Sequence, residues 1–262
     1  MVGCEEYGDT DPRALEVWLD VQARMPLGRK LAAVLDANDD EQTDFCLLAH
    51  GQPARLWLST RDTPARALLG RFQPHSLNAP PLRQAQVVDL DLDGLPDLVG
   101  LSQERLPLWL RNEGNGKWTR LLSPFGPKAE ALRPQAMSLA DVDNRQRPDL
   151  VLWSPDSGLT LFRHRGDAHH ALVLTLSGKW DKGKKQRSNA QGIGARLRVY
   201  AGGRRILMEH TPQAAALGQS YGPLIVGLGP VPAAEAVQIR WPDFVPQSEL
   251  QLAAGAHTLT EI

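Results

Sequence analysis

The segment Asp89-Leu-Asp91-Leu-Asp93-Gly94-Leu-Pro-Asp97 decides the fold, because related segments occur on both sides of it at nearly equal distances. The upstream copy covers residues 36–44 (DANDDEQTD) and the downstream copy covers residues 141–149 (DVDNRQRPD). We call these segments the first, second and third acidic loops, in chain order. They begin at residues 36, 89 and 141, so the repeat length is 53 and then 52 residues. A fixed period of this size predicts a repeat architecture.

Short apolar runs flank each acidic loop. Around the second loop they are Val87-Val88 and Leu98–Leu101, and a further run, Leu108–Leu110, contains an aromatic residue. We interpret Trp109 and Trp57 as equivalent core residues of two units. Helical periodicity is absent from these stretches, whereas strand, loop, strand, turn and strand, followed by a fourth strand, is typical of a β-propeller blade.

We therefore predict an all-β fold whose residues 1–166 form a partial β-propeller, with units starting near residues 31, 83 and 135. Part of another blade would include Val17–Leu19, and the candidate fourth strands are Ala67–Leu69 and Trp118–Leu121. The alternative is an ordinary β-sandwich with acidic turns. A closed propeller needs at least about four blades. Further blades therefore come from elsewhere, or the sequence is the C-terminal part of a longer chain, or the blades form an open arc. We favour the second interpretation, because an open arc would leave sheet edges unpaired.

The second acidic loop has the composition of a cation site. Alternating carboxylates converge when the backbone curls around one point, and Gly94 permits the sharp turn. About six to eight hard oxygen ligands suit Ca²⁺, and the carboxylates would repel one another without it. The predicted ligands are the side chains of Asp89, Asp91, Asp93 and Asp97 and the carbonyl of Leu95.

The first acidic loop departs modestly from this pattern. Its predicted ligands are Asp36, Asn38, Asp40 and Asp44 with the carbonyl of Gln42. The Asn38 amide still offers an oxygen, but Glu41 stands at the glycine position. We expect Ca²⁺ to bind here more weakly than in the second loop.

The third acidic loop breaks the pattern, because Arg145 stands where the fifth position requires an acid. Its guanidinium can pair with Asp141, Asp143 or Asp149 and take the place of the cation. We expect a weak or lost metal site. Arg145→Asp should then create or tighten a calcium site, which a calorimetric titration would detect as added binding heat.

These loops resemble FG-GAP/VCBS repeats, the Ca²⁺-binding blades of integrin-type propellers and of many secreted bacterial proteins. The motif D-x-D-x-D-G-x-x-D is complete at 89–97, nearly complete at 36–44 and partial at 141–149. The segment Asn112–Trp118 (NEGNGKW) is also similar to the N-x-G-x-G-x-F/W turn of that family. The resemblance implies propeller blades stabilised by Ca²⁺.

The pattern changes after Gly166. A basic loop at 179–187 is followed by a glycine turn and by alternating strands, which indicates an antiparallel sandwich or small barrel. Residues 167–262 resemble the ASPIC/UnbV domain of the cartilage acidic protein family. The residues that carry this resemblance are Ser188–Arg196, Gly227-Leu-Gly229, Arg240–Asp243, Gln247 and Glu261. Phe244 departs from the family pattern, in which a glycine is expected.

Composition and motifs restrict the function. The 29 Lys and Arg residues balance 30 Asp and Glu residues, so the broad basic surface of a nucleic-acid binder is missing. No apolar run approaches about 18 residues, and no motif of a hydrolase, metalloprotease or nucleotide-binding enzyme is present. We expect no membrane insertion, no nucleic-acid partner and no catalytic residues.

The resemblances imply a non-enzymatic, calcium-stabilised binding or adhesion-type module for an extracellular protein or a polysaccharide. They imply an extracellular or periplasmic location, although the sequence begins without a signal peptide. The alternative is a polysaccharide-acting enzyme, or its accessory binding domain, with the basic loop 179–187 lining a cleft. A deep pocket with two unpaired titratable groups away from the acidic loops would favour that alternative.

Overall fold

The computed structural model describes residues 29–49, 51–59, 72–166, 169–179, 188–211 and 222–262. These residues form strands β1 to β17 and one short helix, α1 (Gly126–Ala131). The predicted strands at Val17–Leu19 and Ala67–Leu69 and most of the basic loop lie outside the described residues. Among the described residues, no helix has the length and apolar character needed to span a bilayer.

The first seven strands form one sheet in chain order, and each strand is antiparallel to its neighbours. They are β1 (Arg29–Leu35), β2 (Asp44–Ala49), β3 (Gln52–Ser59), β4 (Phe72–Val88), β5 (Asp97–Ser102), β6 (Pro107–Asn112) and β7 (Trp118–Leu121).

Strand β4 belongs to two blades. Its first half pairs with β3 up to Pro81, and its second half pairs with β5 from Leu82 onward. The change of partner falls at Pro80-Pro81, where neither residue has an N–H group to donate to a ladder. The fourth strand of the first blade is therefore the first half of β4, and the predicted fourth strand of the second blade is confirmed as β7.

The third blade has three described strands, β8 (Ala136–Ala140), β9 (Asp149–Ser154) and β10 (Gly158–Phe162). Helix α1 precedes it and buries Ala129. In all three blades the acidic loop connects the first strand to the second. The prediction of an all-β fold containing a partial propeller is confirmed.

Alternate residues of β5 pack against different blades. Leu98 belongs to the hydrophobic cluster shared with the first blade, whereas Val99 and Leu101 belong to the cluster shared with the third. Every residue of β5 is buried. This two-sided burial follows from the alternation of side chains along a strand and explains why the apolar run is continuous.

The interpretation of Trp57 and Trp109 as equivalent residues is wrong. Trp57 pairs with Phe45, the residue after Asp44, whereas Trp109 pairs with Val99, two residues after Asp97. The two side chains are one position apart in register, so they point to opposite faces of their blades.

The C-terminal region, residues 169–262, is a two-sheet sandwich. Its strands are β11 (His170–Ser177), β12 (Arg196–Ala201), β13 (Arg204–Glu209), β14 (Leu224–Gly229), β15 (Ala233–Arg240), β16 (Pro246–Ala253) and β17 (Gly255–Thr260). The sheets have the orders β14-β11-β17 and β13-β12-β15-β16. Leu174, Val199, Ile239 and Trp241 are fully buried in its core.

One pair in this sandwich corrects the sequence-based expectation. We expected antiparallel strands throughout, but β11 and β17 are parallel, with Leu172 opposite Gly255. The predicted boundary between residues 166 and 167 stays a prediction.

Candidate metal centre in the acidic loops

The first Asp of each acidic loop organises the backbone in the same way. Asp89 Oδ1 accepts the N–H of Asp93 at 3.0 Å, and its Oδ2 accepts the N–H of Gly94 at 2.8 Å. The corresponding pairs measure 3.1 and 2.8 Å at Asp36 and 2.9 and 2.7 Å at Asp141. In each of the three blades, the carboxylate of the first Asp therefore holds its loop in a curled conformation.

The last Asp of each loop begins the second strand and bonds both to the second residue of its own loop and to the end of the third strand or the residues just after it. Asp97 is fully buried; its Oδ2 accepts the N–H of Leu90 at 3.2 Å and its Oδ1 accepts that of Asn112 at 2.8 Å. Asp44 makes the same two bonds at 2.8 and 2.7 Å, and Asp149 makes them at 3.4 and 2.7 Å. This residue closes the loop and ties it to the third strand of its blade.

The fourth and sixth residues of every loop have a left-handed backbone. The sixth residue is Gly94 in the second loop, with φ of 90°, but Glu41 (64°) and Gln146 (66°) in the others. Glycine adopts this conformation without steric cost, and other residues do not. The second loop is the least strained of the three at this position.

The structure brings the predicted carboxylates together in two of the loops. One oxygen from each of Asp89, Asp91 and Asp97 lies within 4.8 Å of the others, and a corresponding group forms in the third loop from its three Asp residues. Asp93 is outside the first group, and its Oδ1 accepts the N–H of Leu95 at 2.9 Å. The part played by the carbonyls of Leu95 and Gln42 stays a prediction.

The third position of the first two loops holds a buried oxygen that lacks a partner. No described residue donates a hydrogen bond to Asn38 Oδ1 or to Asp91 Oδ1. A buried acceptor without a donor is costly, and a hard cation satisfies such an oxygen. In the second loop this oxygen and the clustered carboxylates fit a hard divalent cation. In the first loop the described carboxylates do not form such a group, and the Asn38 oxygen is the feature that fits a cation.

Burial makes negative charge in these loops unfavourable without a cation. It raises the pKa of Asp89 and of Asp97 to about 8 and that of Asp44 to about 6. Burial also raises the pKa of Asp91, and repulsion from Asp93 adds to this. A bound divalent ion would supply the missing counter-charge.

The sequence analysis missed Arg111, which lies beside the second loop on β6. Its Nε is 2.6 Å from Asp91 Oδ2 and its Nη2 is 3.3 Å from Asp93 Oδ2. Arg111 and Arg163 each follow the last Asp of their loop by 14 residues, and the first blade has Leu58 at that position. This shared spacing was the signal available in the sequence.

Arg111→Leu is expected to raise the Ca²⁺ affinity of the second loop about tenfold. The arginine competes with a cation for the same carboxylates, and a unit charge about 5 Å away contributes about 1–3 kcal/mol near a protein surface. Calorimetric titration would measure the change. Arg83→Leu is the matched control, because Arg83 is exposed on β4, five residues or about 17 Å before the loop-side end of that strand. Equal affinities for the two variants would contradict competition by Arg111.

Arg145 pairs with a carboxylate of the third loop, as the sequence analysis proposed. Its Nε is 2.7 Å from Asp143 Oδ2, and Arg163 Nε is 3.8 Å from the same oxygen. The hydrogen bond from Arg145 lowers the pKa of Asp143. Two guanidinium groups therefore supply positive charge in this loop.

Two further residues, outside the predicted ligand set, support the second loop. Trp109 Nε1 donates to Asp97 Oδ2 at 2.9 Å, so this tryptophan orients a loop residue as well as filling the core. The side-chain amide of Asn112 donates to the carbonyls of Pro96 at 3.2 Å and Ala37 at 3.4 Å. The Asn112–Trp118 turn thus connects its own loop with the first acidic loop.

A cavity of about 230 Å³ lies between the first blade and the C-terminal region. Its titratable lining groups are Asp36, Glu209 and His210. Asp36 belongs to the first acidic loop, and Glu209 bonds to Arg196 and Thr43. His210 Nδ1 lacks a partner among the described residues, and burial lowers the pKa of this histidine. Among its described lining residues, the cavity therefore does not provide two unpaired titratable groups away from the loops.

Comparison with known families gives two matches. Residues 89–152 match the family model of an FG-GAP-like repeat, and residues 183–261 match the model described as ASPIC and UnbV. No curated protein matches the chain. The first match begins at Asp89 and includes the second and third acidic loops, and the second includes the Gly227-Leu-Gly229 segment.

Proposed function

Because the chain carries an FG-GAP-like repeat followed by an ASPIC and UnbV domain, we propose that it is a calcium-stabilised binding module of the adhesion type. Families with these domains are generally non-catalytic, and FG-GAP repeats commonly bind calcium and are often extracellular. The observation that carries the proposal is the pair of buried oxygens on Asn38 and Asp91 to which no described residue donates, the second of them within the clustered carboxylates of its loop.

In this proposal Ca²⁺ is a structural ion. Asp89, Asp91 and Asp97 would hold it in the second loop, and Asp36, Asn38 and Asp44 would hold it in the first. The ion would neutralise the loops and stiffen the connection between the first two strands of each blade. Because extracellular modules bind Ca²⁺ with dissociation constants of about 10⁻⁴–10⁻³ M, such sites fill in an extracellular or periplasmic setting.

The rigid blades and the sandwich would then serve to bind a ligand. We place that ligand among extracellular proteins and polysaccharides, and we assign it neither nucleic acid nor membrane insertion. The balanced charge of the chain supports this choice, since nucleic-acid binding depends on a basic surface. The cavity described above does not favour the alternative of a polysaccharide-acting enzyme.

The test is thermal unfolding in EDTA and in about 10 mM Ca²⁺. At about 100 times the dissociation constant, binding stabilises the folded state by about 2.7 kcal/mol, which corresponds to an increase of about 5–10 °C in Tm for a chain of this size. Asp91→Asn should remove most of the increase that the second loop contributes. Asp156→Asn, which changes the same charge at an exposed turn, should keep it. Identical melting curves in EDTA and in Ca²⁺ would refute the proposal.

A further inference from the structure

The C-terminal region packs directly on the second acidic loop. Gly227, on β14, faces that loop so closely that a Cβ atom there would lie 2.1 Å from Asp89 Oδ2 and 2.4 Å from the carbonyl carbon of Leu92. No side chain fits in that space. Glycine at this position of the Gly227-Leu-Gly229 segment is thus what allows β14 to approach the loop.

Three consecutive carbonyls of the second loop contact the C-terminal region. His169 Nδ1 lies 2.7 Å from the oxygen of Asp91, and the N–H of Gly229 donates to the oxygen of Leu92 at 2.8 Å. The guanidinium of Arg204 donates to the oxygen of Asp93. Asp91, which offers a carboxylate to a cation, therefore also offers its backbone carbonyl to the C-terminal region.

The first acidic loop contacts the same region through side chains. Glu41, which occupies the glycine position of the motif, lies 2.6 Å from Arg205 Nη2 and 3.7 Å from Arg198 Nε. Thr43 Oγ1 donates to Glu209 Oε1 at 2.8 Å. Glu41, at the position where the motif has glycine, thus forms an ion pair that connects the first blade to the C-terminal region.

We propose that the first and second acidic loops form an intramolecular docking surface for the C-terminal region, and that cation binding and docking are coupled. This inference rests on the proposed function. A cation that holds the side chains of Asp91 and Asp97 also restrains the backbone between them, so the carbonyls of residues 91–93 keep the orientation that docking requires. Thermodynamic linkage makes the effect reciprocal: docking raises the affinity for the cation by the same factor.

Coupling gives the calcium sites a consequence beyond local stability. Occupied loops hold the blades and the sandwich as one body, and emptied loops let the contacts at Gly227 and Gly229 open. Coupling free energies between sites correspond to changes of about 5- to 150-fold in equilibrium constants. The opening equilibrium at this surface should shift within that range when Ca²⁺ is added.

The amide of Gly229 reports on docking, because its hydrogen bond crosses to Leu92. We would follow hydrogen exchange of the full chain in EDTA and in Ca²⁺, and measure binding of Ca²⁺ alone by calorimetry. Protection of Gly229 should rise at least about tenfold with Ca²⁺. Val237, inside β15 with partners on β12 and β16, is the control and should change far less. Asp91→Asn should abolish most of the rise at Gly229.

The outcomes separate the two proposals. Measurable heat of Ca²⁺ binding, together with a rise in exchange protection at Gly229 that Val237 does not share, supports the coupling. Binding heat with unchanged protection of Gly229, or with an equal rise at Val237, overturns the coupling and leaves the calcium-stabilised module intact. Absence of both binding heat and any change in melting temperature overturns the proposed function, and the coupling with it.

Discussion

Asp97→Ala is expected to destabilise the protein by about 3 kcal/mol or more, both in EDTA and in Ca²⁺. The Asp97 carboxylate is fully buried and accepts hydrogen bonds from the N–H groups of Leu90 and Asn112 and from the indole of Trp109. The alanine variant leaves these three donors without an acceptor, and each buried, unsatisfied group costs about 1–3 kcal/mol. Urea unfolding in both buffers would measure the loss.

Asp93→Ala is the matched control for this prediction. Asp93 lies in the same loop, but it is partly exposed, and among the described residues it accepts one backbone hydrogen bond, from Leu95, besides its contact with Arg111. We expect a loss of about 1 kcal/mol in EDTA and a reduced stabilising effect of Ca²⁺. If the two variants lost equal stability in EDTA, Asp97 would not have the strand-joining role assigned to it.

Much of the repeat region could be predicted because its determinants are local and periodic. The acidic residues recur with a nearly constant spacing, and each first Asp bonds to backbone only four and five residues away. The apolar runs are short and their burial follows the alternation of a strand. The positions of the loops, strands and predicted carboxylates follow from these rules alone.

The two tryptophans of the third strands were misjudged although the sequence contained the signal. The strand pairing has the same offset from the last Asp in both blades, but Trp57 follows Asp44 by 13 residues and Trp109 follows Asp97 by 12, so the two side chains point to opposite faces. Strand β4, in contrast, could not be predicted. Its length, and its change of partner at Pro80-Pro81, depend on two blades at once.

The contacts between the acidic loops and the C-terminal region also could not be predicted from the sequence. Nothing near Asp89 indicates that Gly227 will lie against it, and Glu41 looks like a defect in the motif until Arg205 is placed beside it. Arg111 becomes significant only when β6 is placed next to the second loop. Each of these residues acts through a partner that the fold brings close.

Gly227→Ala is expected to lower the stability of the full chain by about 3 kcal/mol and to weaken Ca²⁺ binding. The added methyl group would lie 2.1 Å from a carboxylate oxygen and 2.4 Å from backbone, so β14 and the second loop must move apart. Forcing atoms into a packed site typically costs about 1–3 kcal/mol, and contact with backbone places this case at the upper end. Urea unfolding and calorimetric titration would measure the two effects.

Gly100→Ala is the control, because Gly100 is also a buried strand glycine without a left-handed backbone. Its added methyl would lie 3.1 Å from the oxygen of Gln84 and 3.2 Å from a flexible Leu82 side chain, inside the repeat region and away from the sandwich. It should cost less stability and leave the Ca²⁺ affinity unchanged. A Gly227→Ala protein that bound Ca²⁺ as tightly as the Gly100→Ala protein would show that the sandwich does not act on the loop. In that case the close approach of β14 to the second acidic loop would contribute to packing and not to Ca²⁺ binding.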